Sequence, residues 1–335
     1  MACSKPLARI EDWNGKVTFE HPTLKDNEAI KVWHQRLENQ KNIKSVKMIP
    51  CKRCMGCRLD YAKDWANRLV VESMSYDNNY FFTLTYDDEH IPKKINTETY
   101  EVSYTLKKED LQLFWKRLRV EWERKCNHKG IRFFACGEYG DETMRPHYHA
   151  IVFNLPFLDD LKYYKTSELG DIYMTSEKLD KIWSKGNVIV GGLSWNSCSY
   201  VARYIQKKQY GPEARKYYED NGLLPEFVEM SNRPGIGRKY YEEHKDEIYE
   251  YDEMYIPCKN DIVKIKPLKY FDTLLEQEDP ERYASIKARR EASMVNQNRN
   301  LAINLKSADM VQEQRDIHAR ELKRKTAILK RDIEY

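Results

Sequence analysis

Glycine and proline are scarce, 13 and 12 among 335 residues, which excludes a collagen-like or low-complexity chain. Long apolar runs are missing, none approaching the roughly 18 residues of a membrane span. The opening Met1-Ala2-Cys3-Ser4-Lys5-Pro6 also lacks the apolar stretch of a signal peptide. The expectation is a soluble cytoplasmic chain with no membrane partner. A large charge surplus is absent too, because 57 Lys+Arg against 53 Asp+Glu leave only +4. Eight cysteines in a chain of this length do not make a disulfide scaffold, and three of them crowd into one short window, which favours reduced thiols and metal over bridges. What is present is a globular composition, 41% hydrophobic and 12% aromatic, with enough chain for one large domain or two ordinary ones.

The small net charge conceals three regions. Residues 1–210 carry +6, residues 211–280 carry −7 and residues 281–335 carry +5. A basic body followed by an acidic insert and a basic tail fits a polyanion partner, although a surplus of this size also fits a solvated surface. Tyr80-Phe81-Phe82-Thr83-Leu84-Thr85-Tyr86 alternates as a strand, with Thr83 and Thr85 on one face and Phe82, Leu84 and Tyr86 on the other. Leu106, Leu111, Phe114, Leu118 and Trp122 recur at helical spacing over 105–125. Residues 131–136, 147–154 and 187–193 read as further strands. The pattern predicts an α+β fold with a central antiparallel sheet flanked by helices. Residues 281–335 have neither Pro nor Gly and read as a basic helical tail.

Arg145-Pro146-His147-Tyr148-His149 carries the strongest chemical signal. In an extended chain His147 and His149 point to the same face, so two imidazoles can grip one metal while Tyr148, Ala150 and Val152 turn to the core. Glu138, in Cys136-Gly137-Glu138-Tyr139-Gly140 at the end of the preceding strand, sits across a hairpin and is the expected third ligand. Two nitrogens and a carboxylate leave positions open for substrate, which suits Mg²⁺ or Mn²⁺ as a Lewis acid; the alternative is a pair of surface histidines. Downstream, Tyr200-Val201-Ala202-Arg203-Tyr204-Ile205-Gln206-Lys207 places Tyr200, Tyr204 and Lys207 on one helical stripe. Packing explains a tyrosine pair at that spacing as well as chemistry does.

Cys51, Cys54 and Cys57 stand at C-x2-C-x2-C spacing in a loop before a helix expected to begin near Leu59. That spacing lets the sulfurs reach one structural Zn²⁺ at about 2.3 Å. Cys3 is the first choice for the fourth ligand, with Cys126 or His128 behind it; free thiols and an iron–sulfur cluster remain open alternatives. Cys136, Cys198 and Cys258 read as buried small hydrophobes. In Arg233-Pro234-Gly235-Ile236-Gly237-Arg238 two arginines flank glycines whose backbone N–H groups could approach an anion, unless the segment is an ordinary turn.

The Phe-Thr-Leu-Thr strand, the His-Tyr-His strand and the Tyr-Val-Ala-Arg-Tyr-Ile-Gln-Lys helix, in this order, resemble the three motifs of the HUH endonucleases that initiate rolling-circle replication. The two-tyrosine form is similar to the replication initiators of the microviruses, and the Cys cluster, Trp65-Ala66-Asn67-Arg68 and Arg233-Pro234-Gly235-Ile236-Gly237-Arg238 extend the likeness to the gokushovirus branch over about residues 1–270. Tyr148 departs from the usual aliphatic between the histidines. The resemblance implies an HUH, RRM-like palm and a metal-dependent nick of single-stranded origin DNA through a 5′-phosphotyrosine. It assigns Tyr200, Tyr204 and Lys207 to catalysis, His147, His149 and Glu138 to the metal, and Thr83, Thr85, Arg203, Arg233 and Arg238 to DNA. Host helicase and polymerase are the implied partners, in the host bacterial cytoplasm. The division expected is 1–60 as a Cys-rich segment, 61–215 as the endonuclease core, 216–280 as an acidic accessory region and 281–335 as the tail. A zinc-containing nucleic-acid-binding regulator would explain the cysteines but leaves the His pair and its tyrosine helix without use, and a mononuclear metal oxygenase has no use for the tyrosines.

Overall fold

A computed structural model describes residues 3, 6–20, 38–95, 100–140, 143–168, 170–203, 212–258, 261–304, 317 and 320. The chain forms two compact units, residues 1–61 with 276–335, and residues 62–275. In the first, β1 (Leu7–Asp12) lies between β2 (Val17–Glu20) and β3 (Ile43–Ile49) in an antiparallel sheet. Ala8, Ile10 and Val46 form its small core. The same unit contains the start of α1 (Met55–Ser73), which begins ahead of the expected Leu59 and so carries Cys57 within its first turn. At the other end of the chain, α8 (Pro280–Asn304) bears out the helical reading of the basic tail as far as residue 304.

The second unit is built on β4 (Asn79–Thr85), β5 (Lys93–Ile95), β6 (Val102–Tyr104), β7 (Arg132–Tyr139), β8 (Pro146–Phe153), β9 (Lys162–Thr166), β10 (Ile172–Thr175), β11 (Val188–Gly192) and β12 (Phe227–Met230). Seven of these form one sheet in the order β12-β7-β8-β4-β11-β10-β9, and every neighbouring pair is antiparallel. The predicted α+β class with a central antiparallel sheet is what the chain adopts. β5 and β6 form a separate hairpin, as do β13 (Met254–Cys258) and β14 (Asp261–Ile265).

One face of the sheet presents Phe82, Leu84, Phe133, Ala135, Tyr148, Ala150 and Val152 to α2 (Lys108–Cys126) and α3 (Glu177–Trp183), which bury Leu111, Phe114, Trp115, Leu118, Leu179 and Trp183. These side chains lose nearly all contact with water, each worth roughly 1.5–3 kcal/mol of burial. The opposite face receives Trp65 of α1, whose ring centroid lies 5.2 Å from that of Phe134, and α4 (Trp195–Arg203) beside β8. With both faces covered, all of β7 is buried, and all of β8 except His147. α5 (Pro212–Asp220), α6 (Arg238–Tyr251) and α7 (Lys269–Glu278) follow.

Helix α2 begins at Lys108 instead of Thr105, because the Thr105 hydroxyl is taken up by the Leu224 N–H at 2.8 Å. Its N-cap, Lys107, has no side-chain cap; the Tyr148 hydroxyl does that work instead, accepting from the Lys107 N–H at 3.0 Å and lying 2.8 Å from the Lys107 carbonyl. Gly186 is required where the chain crosses the end of β4: at φ +143° an added Cβ would meet the Thr85 carbonyl oxygen at 2.2 Å.

Candidate metal and tyrosine site

Cross-strand register assembles the site. Antiparallel pairing sets His149 opposite Thr83, His147 opposite Thr85, and His147 opposite Glu138. The period of two therefore gathers Glu138, His147, His149 and both threonines on one face. Ligand atoms of Glu138, His147 and His149 all lie within 4.8 Å of one another. Glu138 Oε1 stands 2.7 Å from His147 Nε2 and 3.2 Å from His149 Nε2.

The outer nitrogens define what that arrangement can hold. His147 Nδ1 lies 3.0 Å from the Arg145 carbonyl oxygen, which can only accept, so Nδ1 carries a proton. A neutral His147 then turns a lone pair of Nε2 toward a carboxylate oxygen at 2.7 Å, two acceptors face to face. Such a contact needs a cation between or beside them, either a proton on the ring or a metal ion. His149 Nδ1 is 3.0 Å from Thr83 Oγ1, which orients that ring in the same way. Burial works against ionisation of Glu138, but the hydrogen bonds from His147 and His149 and their charge prevail and hold its carboxyl at about 2. The donor set is thus an anionic oxygen and two oriented imidazole nitrogens, and it fits a divalent cation with open positions.

Tyr200, on α4, places its hydroxyl 3.3 Å from His149 Nε2, and its ring lies edge-on to that of His149 with centroids 5.0 Å apart. The Arg203 guanidinium sits 5.7 Å from the centroid of the Tyr200 ring. Tyr204 and Lys207 lie outside the described residues. Thr85 Oγ1 donates to the Asn187 carbonyl at 3.3 Å. The Arg233 to Arg238 segment is placed elsewhere on this unit, against the Arg132 end of β7. Arg132 Nη2 donates to the Pro234 carbonyl at 2.8 Å, Arg68 Nε to the Ile236 carbonyl at 2.6 Å, and the Gly237 N–H to buried Glu72. Arg238 pairs with Glu242 at 2.6 Å, and Arg233 is exposed. The Gly237 backbone therefore serves the protein's own carboxylate.

Residues that the sequence reading missed include Phe81, which stacks on His149 at 5.6 Å with rings 13° apart. The period of two from Thr83 would have found it. Tyr148 gives up a simple packing role to join Tyr86, whose hydroxyl is 2.8 Å away and itself donates to buried Asp110. Burial raises the Tyr148 phenol well above the usual tyrosine range, so it stays protonated.

In the first unit the sulfurs of Cys3, Cys51, Cys54 and Cys57 also lie within 4.8 Å of one another. Cys54 to Cys3 is 3.8 Å and Cys51 to Cys57 is 4.0 Å, too long for disulfides and close to the edge of about 3.8 Å of a tetrahedron with metal–sulfur bonds of about 2.3 Å. The N–H of Cys51 donates to Cys3 Sγ at 3.2 Å and that of Cys54 to Cys51 Sγ at 3.3 Å, contacts that favour thiolates. Burial pushes the Cys57 thiol up, helped by the neighbouring Cys3, the direction expected of clustered sulfurs holding no cation. His128, the reserve ligand, instead meets the Asn154 carbonyl at 2.7 Å; the side chain of Cys126 is not described. Cys136 and Cys198 are buried as expected, whereas Cys258 is half-exposed because it ends a surface hairpin.

A family model described as replication-associated protein ORF2 matches residues 79–209, a stretch holding the threonine strand, the His strand and the tyrosine helix. Replication-associated protein ORF2 of Spiroplasma virus 4 is 38% identical over 280 residues, spanning 83% of this chain and 81% of the relative. The chain belongs to the replication-associated protein family. Two further relatives share the family name: VP4 of Bdellovibrio phage phiMH2K, 36% identical over 62% of each chain, and ORF4 of Chlamydia phage 1, 33% identical over 48% of this chain and 38% of the relative. The microvirus resemblance of the motifs is thereby established. No solved structure matches. Among the described residues of this replication-associated protein, no helix is long and apolar enough to cross a membrane.

Proposed function

We propose that this replication-associated protein is a tyrosine nickase that opens single-stranded origin DNA by phosphodiester transesterification. The observation that carries the reading is the convergence of Glu138, His147 and His149 beside the hydroxyl of Tyr200. Bound by those three residues, Mg²⁺ or Mn²⁺ supplies Lewis-acid neutralisation of the scissile phosphate. A phenol with an ordinary value of about 10 is a poor nucleophile at neutral pH, so the Arg203 charge near Tyr200 favours its loss of a proton as the oxygen attacks. The oxygen–phosphorus bond forms while the bond from phosphorus to the 3′ oxygen breaks, and that oxygen takes up a proton. A 5′-phosphotyrosine and a free 3′-hydroxyl result, so rejoining needs no ATP. Tyr204 takes the second cut after one round of the circle, and Lys207 stabilises phosphate or phenolate charge. Thr83, Thr85, Arg203, Arg233 and Arg238 contact the DNA.

On the same reading, Cys3, Cys51, Cys54 and Cys57 hold a structural Zn²⁺ that orders residues 1–60. Residues 61–215 form the endonuclease core, 216–280 an accessory region and 281–335 a basic tail. A host helicase and polymerase use the exposed 3′-hydroxyl in the bacterial cytoplasm. The test is covalent trapping: protein mixed with an origin-spanning, end-labelled oligonucleotide and Mn²⁺ yields a denaturation-resistant adduct. A chain that binds the same oligonucleotide and never yields the adduct is a regulator, not a nickase.

A further inference from the structure

The face that carries the histidines does not end with them. Gly191 on β11 pairs with Phe81 on one side and Tyr173 on the other, and a Cβ built on it would meet the Tyr173 ring at 3.2 Å and the Phe81 ring at 3.3 Å. Both rings therefore lie over the glycine, on the face where Phe81 stacks against His149. Beyond Tyr173, Lys165 pairs on the same face, its Nζ 6.0 Å from the Tyr173 ring and 5.5 Å from that of Tyr164. Tyr164 occupies the irregularity between the two pairing registers of β9 and β10 and is 52% exposed. Lys165 is exposed and forms no salt bridge among the described residues, whereas Lys162 is bound to Glu177.

We infer that the β9–β10 edge of the sheet is a stacking platform, made by Tyr173, Tyr164 and Lys165, for bases of the single strand that flank the phosphate held at His149. The inference rests on the nickase reading for the direction in which the strand runs, but its binding chemistry stands alone. Exposed aromatic faces next to a cation are what unpaired bases and their phosphates recognise, since every base has a π-face and a duplex hides it. A protein partner would find a polar edge strand here, with every residue of β9 exposed and Lys, Tyr and Thr as its only side chains. From β8 to β9 there are four inter-strand steps, about 19 Å at about 4.8 Å each. The bases read at the platform thus lie a few nucleotides from the cut, which gives the enzyme a way to recognise sequence or fix register away from the reacting phosphate. Gly191 is the device that makes the track continuous, because any side chain there would part the two rings.

The experiment measures binding of fluorescein-labelled (dT)20 by anisotropy in EDTA, where no metal-dependent cutting occurs, with the full chain. Tyr173→Ala and Tyr164→Ala are each expected to weaken single-strand binding about tenfold, Tyr173→Phe to stay within twofold of wild type, and affinity for a duplex to change little in any of them. Tyr164 is exposed, so its variant keeps the test alive if Tyr173→Ala fails to fold. Folded alanine variants that bind (dT)20 as wild type does would overturn the inference, as would an equal loss for single strand and duplex. Should these losses appear while wild type forms no adduct, the platform stands and the nickase reading falls; an adduct with undiminished (dT)20 binding by the variants removes the platform alone.

Discussion

The two metal-ligand clusters of this chain solve the same geometric problem in different ways. Around Cys51, Cys54 and Cys57 three ligands come from seven consecutive residues, and Cys3 closes the set at four. At Glu138, His147 and His149 the ligands number three, come from two strands, and lie beside a hydroxyl on a helix. Four sulfurs fill a tetrahedral ion and leave nothing to react. Three ligands leave positions for substrate. The contrast divides the labour: the first cluster should matter to folding and the second to chemistry.

The largest effect that could break this comparison is on the catalytic side. His149→Ala should lower adduct formation about a thousandfold, several kcal/mol of lost charge stabilisation, with the melting temperature nearly unchanged; a thousandfold loss together with unfolding would make the cluster structural instead. Next come the nucleophiles. Tyr200→Phe and Tyr204→Phe should each retain single-turnover cutting but release no closed circles, and the double variant should do neither. If Tyr204→Phe abolishes cutting while Tyr200→Phe completes the round, Tyr200 returns to packing.

On the other side of the comparison, Cys51→Ser should lose the one zinc found by elemental analysis of wild type. With it should go at least about 3 kcal/mol of stability, or about 10 °C in melting temperature. A Cys51→Ser chain with full thermal stability would show that the thiols carry no structural ion. Thr83→Val sharpens the account on a finer scale: it deletes the oxygen that orients His149 and should weaken Mn²⁺ binding about tenfold by calorimetry. Smallest of all, Tyr148→Phe should cost about 1–3 kcal/mol in denaturant melts, because it strands the Lys107 N–H, while leaving Mn²⁺ binding almost intact.

The His site was legible because β-strand geometry has a period of two and the site is a matter of register. His147, His149, Thr83 and Thr85 could be placed on one face from alternation alone, and Glu138 from its distance across a hairpin. The same rule would have given Phe81. What alternation could not give was the capping of α2 by Tyr148, since the need arises at Lys107, 41 residues away. Nor could it give Gly237 facing Glu72, a contact between residues 165 apart that turns an apparent anion loop inward. β1 and β3 escaped because their apolar positions are few, Ala8, Ile10 and Val46, amid charges that read as loop. The fold class survived these omissions because the strongly alternating β4, β7 and β8 set the sheet.

The most direct measurement is made on wild-type protein stripped with EDTA, then offered the labelled origin oligonucleotide with and without Mn²⁺, with zinc counted in parallel. The account predicts that zinc stays near one per chain, that no adduct forms until Mn²⁺ returns, and that the adduct's modified peptide then contains Tyr200 or Tyr204. An adduct formed at full rate in EDTA, or one mapped to any other residue, would contradict it.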